Sequence, residues 1–371
     1  MNFLVVTLAP VLLKEDGQLY SYAPYVKEMN IWFSKMESIT IVAPTFYKKE
    51  LLVAPFYRND IKVVSIPNIS MQSAVSIIKT TFYLPIIMLK IAIEMNKADH
   101  IHLRCPGNIG LLGSLLQIFF PRKPKTAKYA GNWDPKSKQP ISYRFQKWLL
   151  SNTFLTKNMR VLVYGKWPKQ SSNIYPFFTA TYSKNKIKGF LEKRFKAPFT
   201  FMFVGSLTSG KRPLYAVQLV EALHTLGENV RLEIFGDGEQ RESLTNYIKQ
   251  NALEDIVLFH GNASSEEVEA AYKKSHFLVL PSKSEGWPKV VAEAMFWGVL
   301  PMVTKISCVP WMLDNGHRGI LSNTILEEDI QTMRLLLQDE DLLKKMSKQA
   351  QEWSHQYTLE YFEAEIERML A

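Results

Sequence analysis

Two cysteines, Cys105 and Cys308, in a chain of 371 residues leave no room for a disulfide framework. Neither has metal-ligand company at a useful spacing, so the chain is expected in a reducing compartment, the cytoplasm. Long apolar runs are also missing. Residues 109–121 fall short of the ~20 that a spanning helix needs, and 84–95 are interrupted by Lys90. The apolar start lacks a basic leader and a small-residue cleavage site, and it reads as a first strand. There is no short internal repeat and no low-complexity tract. No recognised nucleic-acid module is present, so no nucleic acid is expected as a partner. No Asp-x-Asp is placed to carry a divalent ion, and no metal is expected.

What is present is a long alternation of short apolar strands and helical periods. In the first half, strand patterns cover 3–8, 39–43, 61–66, 100–103, 126–129 and 160–164. Helical patterns lie around 21–36, 71–96, 108–120 and 140–151. In the second half, strands at 199–204, 232–235, 257–260 and 277–280 each lead into a turn and a helix. Single cores stop growing at about 250–300 residues, so a chain of this length divides. The basic stretch 183–198 is the expected join. The spans are then 1–185, 186–352, and a final helix, 353–371, crossing back to the first domain. The fold class is α/β, with two Rossmann-like doubly wound parallel sheets.

Charge separates the halves. Residues 1–198 hold 29 Lys+Arg against 10 Asp+Glu, whereas 199–371 hold 16 against 25. In the first half the cations mix with large apolar residues, as in Ile118-Phe-Phe-Pro-Arg-Lys-Pro-Lys and Tyr143-Arg-Phe-Gln-Lys-Trp-Leu-Leu. Such a surface suits an anionic partner, and peripheral contact with an anionic membrane is expected.

The chemistry concentrates in the second half. Leu280-Pro-Ser282-Lys-Ser-Glu285-Gly286-Trp287-Pro-Lys289-Val290-Val-Ala-Glu293-Ala-Met-Phe-Trp-Gly298 places Glu285 in a loop behind a buried strand and Glu293 about two turns into the next helix. Pro288 suits the first helical position, and Gly298 the end of the helix. A helix N-terminus behind an acid-bearing loop can hold a phosphate and grip neighbouring hydroxyls. Upstream, Gly205-Ser206-Leu-Thr-Ser-Gly-Lys211-Arg212-Pro213 joins a strand to a helix start. Backbone N–H groups and a cation there suit a diphosphate. Gly236-Asp-Gly238 and His260-Gly261-Asn262 are further turns after strands, and Ser264-Ser-Glu-Glu267 is a capping box.

These motifs resemble family 4 of the retaining glycosyltransferases, enzymes of the GT-B fold, whose two domains face each other across a cleft. The resemblance rests mainly on residues 199–304. It implies that Glu285 faces the transferred sugar, that Glu293 holds ribose hydroxyls, and that the backbone after His260 lies against the base. The family usually has Gly-Arg-Leu-x-x-x-Lys at the diphosphate. Lys211 is kept here, Ser206 replaces the Arg, and Arg212 is the candidate to compensate. By this resemblance the donor-binding set is Gly17, Gly205, Ser206, Lys211, Arg212, Gly236, Gly238, His260, Gly261, Asn262, Ser282, Glu285, Gly286, Trp287, Lys289, Val290 and Glu293. Gly17 would stand in for a glycine-rich turn after the first strand, although the usual double glycine is absent.

The acceptor side falls on loops of the first half. Gly131-Asn132-Trp133-Asp134 offers an amide, an indole and a carboxylate for a sugar ring or a hydroxyl nucleophile; it also fits an Asx turn around a packed tryptophan. Arg104, at a strand end, seeks an anion, while His102 reads as a core histidine. The expected catalytic groups are Glu285, Lys211, Asn132 and Asp134, and the expected acceptor contacts are Arg104, Asn132 and Trp133. The function implied is metal-independent, retaining transfer of a hexose-type unit from a nucleotide diphosphate sugar, with no cofactor, to a glycan or lipid-linked acceptor at the inner face of the membrane. A nucleotide-sugar epimerase and a non-catalytic scaffold are the competing readings.

Overall fold

A computed structural model describes residues 1–47, 52–69 and 74–370. Contacts divide the chain into two compact units, Met1–Phe177 with Glu363 onward, and Phe178–Phe362. The division precedes the basic stretch 183–198, because Phe178 packs with Trp287, Tyr357 and Phe362 of the second unit.

Among its described residues the first unit contains ten strands: β1 (Asn2–Val6), β2 (Leu12–Leu13), β3 (Leu19–Tyr22), β4 (Ser38–Pro44), β5 (Val53–Pro55), β6 (Lys62–Ile66), β7 (His100–Cys105), β8 (Lys125–Tyr129), β9 (Met159–Tyr164) and β10 (Ile174–Phe177). Seven form a parallel sheet in the order β10-β9-β8-β7-β1-β4-β6. The chain winds outward from β1 in one direction, then crosses to β7 on its other side, so the switch point lies between β1 and β7. The helices are α1 (Ala23–Phe33), α2 (Ala74–Lys97), α3 (Asn108–Leu116) and α4 (Ile141–Ser151). Ile87, Ile91 and Met95 of α2, Ile109 and Leu116 of α3, and Leu150 of α4 share one core with β1, β7, β8 and β9. A small antiparallel sheet, β2-β3-β5, escaped the sequence reading, because its strands are too short to show a period.

The second unit carries β11 (Phe199–Val204), β12 (Val230–Phe235), β13 (Val257–Gly261), β14 (Phe277–Leu280), β15 (Leu300–Thr304) and β16 (Ile320–Ser322). They form a parallel sheet in the order β13-β12-β11-β14-β15-β16. Its helices are α5 (Pro213–Thr225), α6 (Arg241–Gln250), α7 (Ser265–Lys274), α8 (Lys289–Phe296), α9 (Val309–Met312), α10 (Leu326–Leu337) and α11 (Glu340–Ser354), and α12 (Leu359–Leu370) ends the chain. β11 and β14 are buried almost throughout, as strands covered on both faces must be.

Two local expectations can be read directly. Ser264 and Glu267 form the capping box of α7. Gly298 closes α8 with φ +72°: its amide bonds Met295, and that of Val299 bonds Ala294. A Cβ at residue 298 would lie 2.7 Å from Gln351 Nε2, so both conformation and space require glycine. Pro288, expected at the first helical position, instead caps α8 one residue earlier. The final segment also starts later than expected. Trp353 belongs to α11 and stacks on Trp287, whereas from Glu363 onward the chain bonds the first unit: Glu363 and Glu367 pair with Lys35.

Candidate functional site

In the second unit the chain reverses winding direction between β11 and β14, and their carboxyl ends open a crevice at that point. The loop after β11 carries Gly205 to Arg212, and the loop after β14 carries Ser282 to Pro288. Strand order thus joins residues far apart in sequence. Lys211 Nζ donates to Glu285 Oε1 at 2.5 Å, with the carboxylate 8% exposed and the lysine 29%. The two loops are also tied through the backbone, since the Lys283 amide bonds Gly210 O at 2.8 Å.

The glycine turns hold this floor together. The Gly205 amide bonds Phe235 O, and that of Leu207 bonds Asp237 O, so the loops after β11 and β12 lie side by side. A Cβ on Gly236 would sit 2.0 Å from Gly205 O, which only glycine avoids. The Gly236 amide in turn bonds Gly261 O, linking the turn after β13. His260 stacks flat on Phe235, with centroids 4.3 Å apart, and its Nε2 lies 3.5 Å from Glu233. Ser206, Gly238 and Asn262 lie on the same row of turns, with Ser206 and Asn262 exposed.

Other expected donor residues are differently occupied. The Arg212 backbone is left-handed, with φ 52°, and its guanidinium bonds Thr324 Oγ1 at 3.0 Å. Glu293 accepts from Thr181 Oγ1 at 2.7 Å and from Tyr272 OH at 3.4 Å. Trp287, expected at the donor, turns its indole into an aromatic cluster with Phe178, Trp311, Trp353 and Tyr357. Gly286 is anchored there through its carbonyl, which accepts from Cys308 Sγ; burial pushes that thiol up to about 12. Ser282 is fully buried, and its hydroxyl has no hydrogen-bond partner among the described residues. Lys289 and Val290 begin α8, whose cap Pro288 supplies no side-chain hydrogen bond; the Val291 amide bonds Pro288 O at 2.9 Å.

One residue of this site escaped the sequence reading. Lys283 is exposed, its backbone is clamped to the loop after β11, and among the described residues it has no ion-pair partner. Only its place two residues before Glu285 marks it in the sequence.

In the first unit three expectations change. Arg104 is not an open anion seeker: its guanidinium bonds Glu28 Oε1 at 2.5 Å, and the fully buried Lys128 lies 3.3 Å from the same carboxylate. Asn132 Oδ1 accepts from the Asp134 amide at 2.8 Å, and Asp134 Oδ1 from the Lys136 amide, so this loop is a pair of Asx turns. Trp133 is 2% exposed, edge-on to Tyr129, with its N–H on Gln170 Oε1. An indole packed in this way offers no face to a sugar. Gly17 lies in the turn between β2 and β3, beside Asp16, whose carboxyl is held low by the Tyr20 hydroxyl. His102 is fully buried on Thr126 Oγ1, and burial holds it well below the usual imidazole range.

What the second unit assembles is a carboxylate and a lysine on glycine turns at a switch point, beside the start of α8. Residues 186–353 match the family model described as glycosyl transferases group 1. By that match, this unit is a group 1 glycosyl transferase domain. Among curated relatives, the chain is 32% identical over 165 residues to an uncharacterised glycosyltransferase of Haemophilus influenzae, covering 43% of the chain and 46% of that protein. It is 26% identical over 173 residues to a Campylobacter jejuni enzyme named as an N-acetyl-D-galactosaminyltransferase acting on a glycan on PP-undecaprenol; the match covers 46% of the chain and 47% of that protein. The chain thus spans about half the length of the curated relatives it matches. Among solved structures, Anabaena HepE, crystallised with UDP and glucose, superposes with a TM-score of 0.68 at 15% identity, over 100% of this chain and 99% of that one. This likeness shows the fold: two parallel Rossmann-like sheets of GT-B type.

Proposed function

We propose that this chain transfers a sugar from a nucleoside diphosphate sugar to a hydroxyl of a glycan or lipid-linked acceptor. The Lys211–Glu285 pair at the switch point carries this reading. When the donor binds, the Lys211 ammonium turns to the diphosphate, and the released Glu285 carboxylate accepts hydrogen bonds from the sugar hydroxyls. Cleavage of the anomeric C–O bond leaves oxocarbenium-like charge on the sugar and negative charge on the diphosphate. Lys211, Lys283 and the first amides of α8 stabilise that leaving group. Lys283 supplies the second cation in place of the usual arginine, since the Arg212 guanidinium is engaged by Thr324. The anomeric configuration is retained, with a donor phosphate oxygen taking the acceptor's proton. The sugar is a hexose type.

The acceptor class rests on the Campylobacter relative, whose name specifies an undecaprenol-linked glycan. A membrane location is supported by the surface of the first unit. Phe82, Ile86, Leu89 and Ile93 form an exposed stripe on α2, and Ile141, Phe145 and Trp148 form another on α4. The contact we propose is peripheral; no helix among the described residues is long and apolar enough to cross a membrane.

Calorimetry with UDP, GDP, ADP and TDP in chelator tests the donor reading and names the base. One diphosphate should bind, and its sugar conjugate should then support transfer with retention, read from the anomeric signal of the product. A folded chain that binds none of them refutes the transferase.

A further inference from the structure

At the amino ends of β7, β8, β9 and β10 the first unit holds a cavity of about 570 Å³, at the edge opposite the switch-point crevice of its sheet. Arg122, Lys125, Lys157 and Arg160 line it, and among the described residues no carboxylate does. Two of these cations bond only neutral carbonyls. Lys125 Nζ donates to Phe120 O at 2.8 Å, and Arg160 donates to Arg368 O at 3.0 Å and Met369 O at 2.8 Å. Arg122 and Lys157 are exposed at the mouth. Among the described residues none of the four has an ion-pair partner, so the cavity concentrates positive charge around a space large enough for a phosphate group. Burial lowers Lys125 to about 8, which a bound anion would reverse.

The lips of the cavity are apolar. Phe119 is 77% exposed three residues before Arg122, and Phe154 is 75% exposed three residues before Lys157. An inorganic phosphate has no use for exposed phenylalanines on either side of it, but a phosphate carried on acyl chains does. The stripe of Ile141, Phe145 and Trp148 on α4 leads toward the same loop. We propose that this cavity receives the phosphate of an anionic phospholipid while Phe119 and Phe154 enter the boundary with the acyl chains. The inference rests on the membrane part of the reading above and is independent of the donor site.

The test uses the full chain and sedimentation with vesicles of phosphatidylcholine alone or mixed with phosphatidylglycerol. Wild type should prefer the mixed vesicles. The double variant Arg122→Gln/Lys157→Gln should bind them roughly thirtyfold less tightly, at about 1 kcal/mol per cation at the surface. Its UDP binding and thermal midpoint should not change. Phe119→Ser/Phe154→Ser should also weaken vesicle binding. A control, Lys136→Gln/Lys138→Gln, removes the same charge from a loop at the other end of the sheet. If the control loses as much as the cavity variant, net charge and not the cavity binds the membrane, and the proposal fails. It also fails if calorimetry finds inorganic phosphate bound in the cavity while the phenylalanine variant binds vesicles as wild type does. If wild type binds no anionic vesicles, the membrane reading and this site fall together, and binding of a nucleoside diphosphate still decides the transferase.

Discussion

Lys211→Ala should cost more than Glu285→Gln both in stability and in donor binding, although Glu285→Gln still abolishes most of the transfer. At 2.5 Å, a pair of unit charges attracts by about 7 kcal/mol at an effective dielectric of about 20, most of it offset by desolvation. The carboxylate is 8% exposed and the lysine 29%. Removing the lysine therefore strands a buried charge, whereas removing the carboxylate leaves an ammonium that can swing into water. Breaking a fully buried pair costs about 3–5 kcal/mol; with the lysine partly in water, Lys211→Ala should cost about 2 kcal/mol. Glu285→Gln, which keeps shape and one acceptor, should cost about 1 kcal/mol or less. UDP binding should separate the two variants further. Lys211→Ala should weaken it about tenfold or more, ~1.4 kcal/mol. Glu285→Gln should leave it unchanged or tighter, because the ammonium is already free, while transfer falls on the order of a hundredfold. Urea unfolding and calorimetry on the two single variants and the double variant give both quantities and the coupling between them. If Glu285→Gln weakens UDP as much as Lys211→Ala does, the lysine is not shared between carboxylate and diphosphate, and the mechanism is wrong.

Three further outcomes follow from the geometry. Lys283→Ala should weaken UDP several-fold without moving the unfolding midpoint, and Arg212→Ala should have the smaller effect on UDP; the reverse ranking in calorimetry would return the second cation to Arg212. Glu28→Gln strands Arg104 and the buried Lys128 beside each other and should destabilise the chain by about 3–5 kcal/mol, whereas a surface role for Arg104 would leave the urea midpoint in place. Burial lowers His100 to about 4 in the folded chain, against about 6.5 when unfolded, so between those values the unfolded state binds more protons. Stability should therefore fall as pH drops from about 7 to about 4, by about 3 kcal/mol for this residue. Replacing His100 with Gln should flatten the pH dependence of the unfolding free energy in that window.

Sequence alone determined the alternation of strands and helices, the division into two α/β units, and the loops that bear Lys211 and Glu285. Those features depend on side-chain period, glycine turns and caps, which act between residues a few positions apart. β11 and β14 are apolar throughout, and the Ser264 capping box is complete within four residues, so both were legible in the chain. Tertiary structure decided which charges are free. Strand order set Lys211 against Glu285 across 74 residues, and Glu28 took up Arg104 across 76. It also decided that Trp133 and Trp287 are core rather than binding faces, because Tyr129 and Trp353 pack against their indoles. A residue's type states what it can bind; only the partners that the fold brings from distant segments decide whether that capacity is already used.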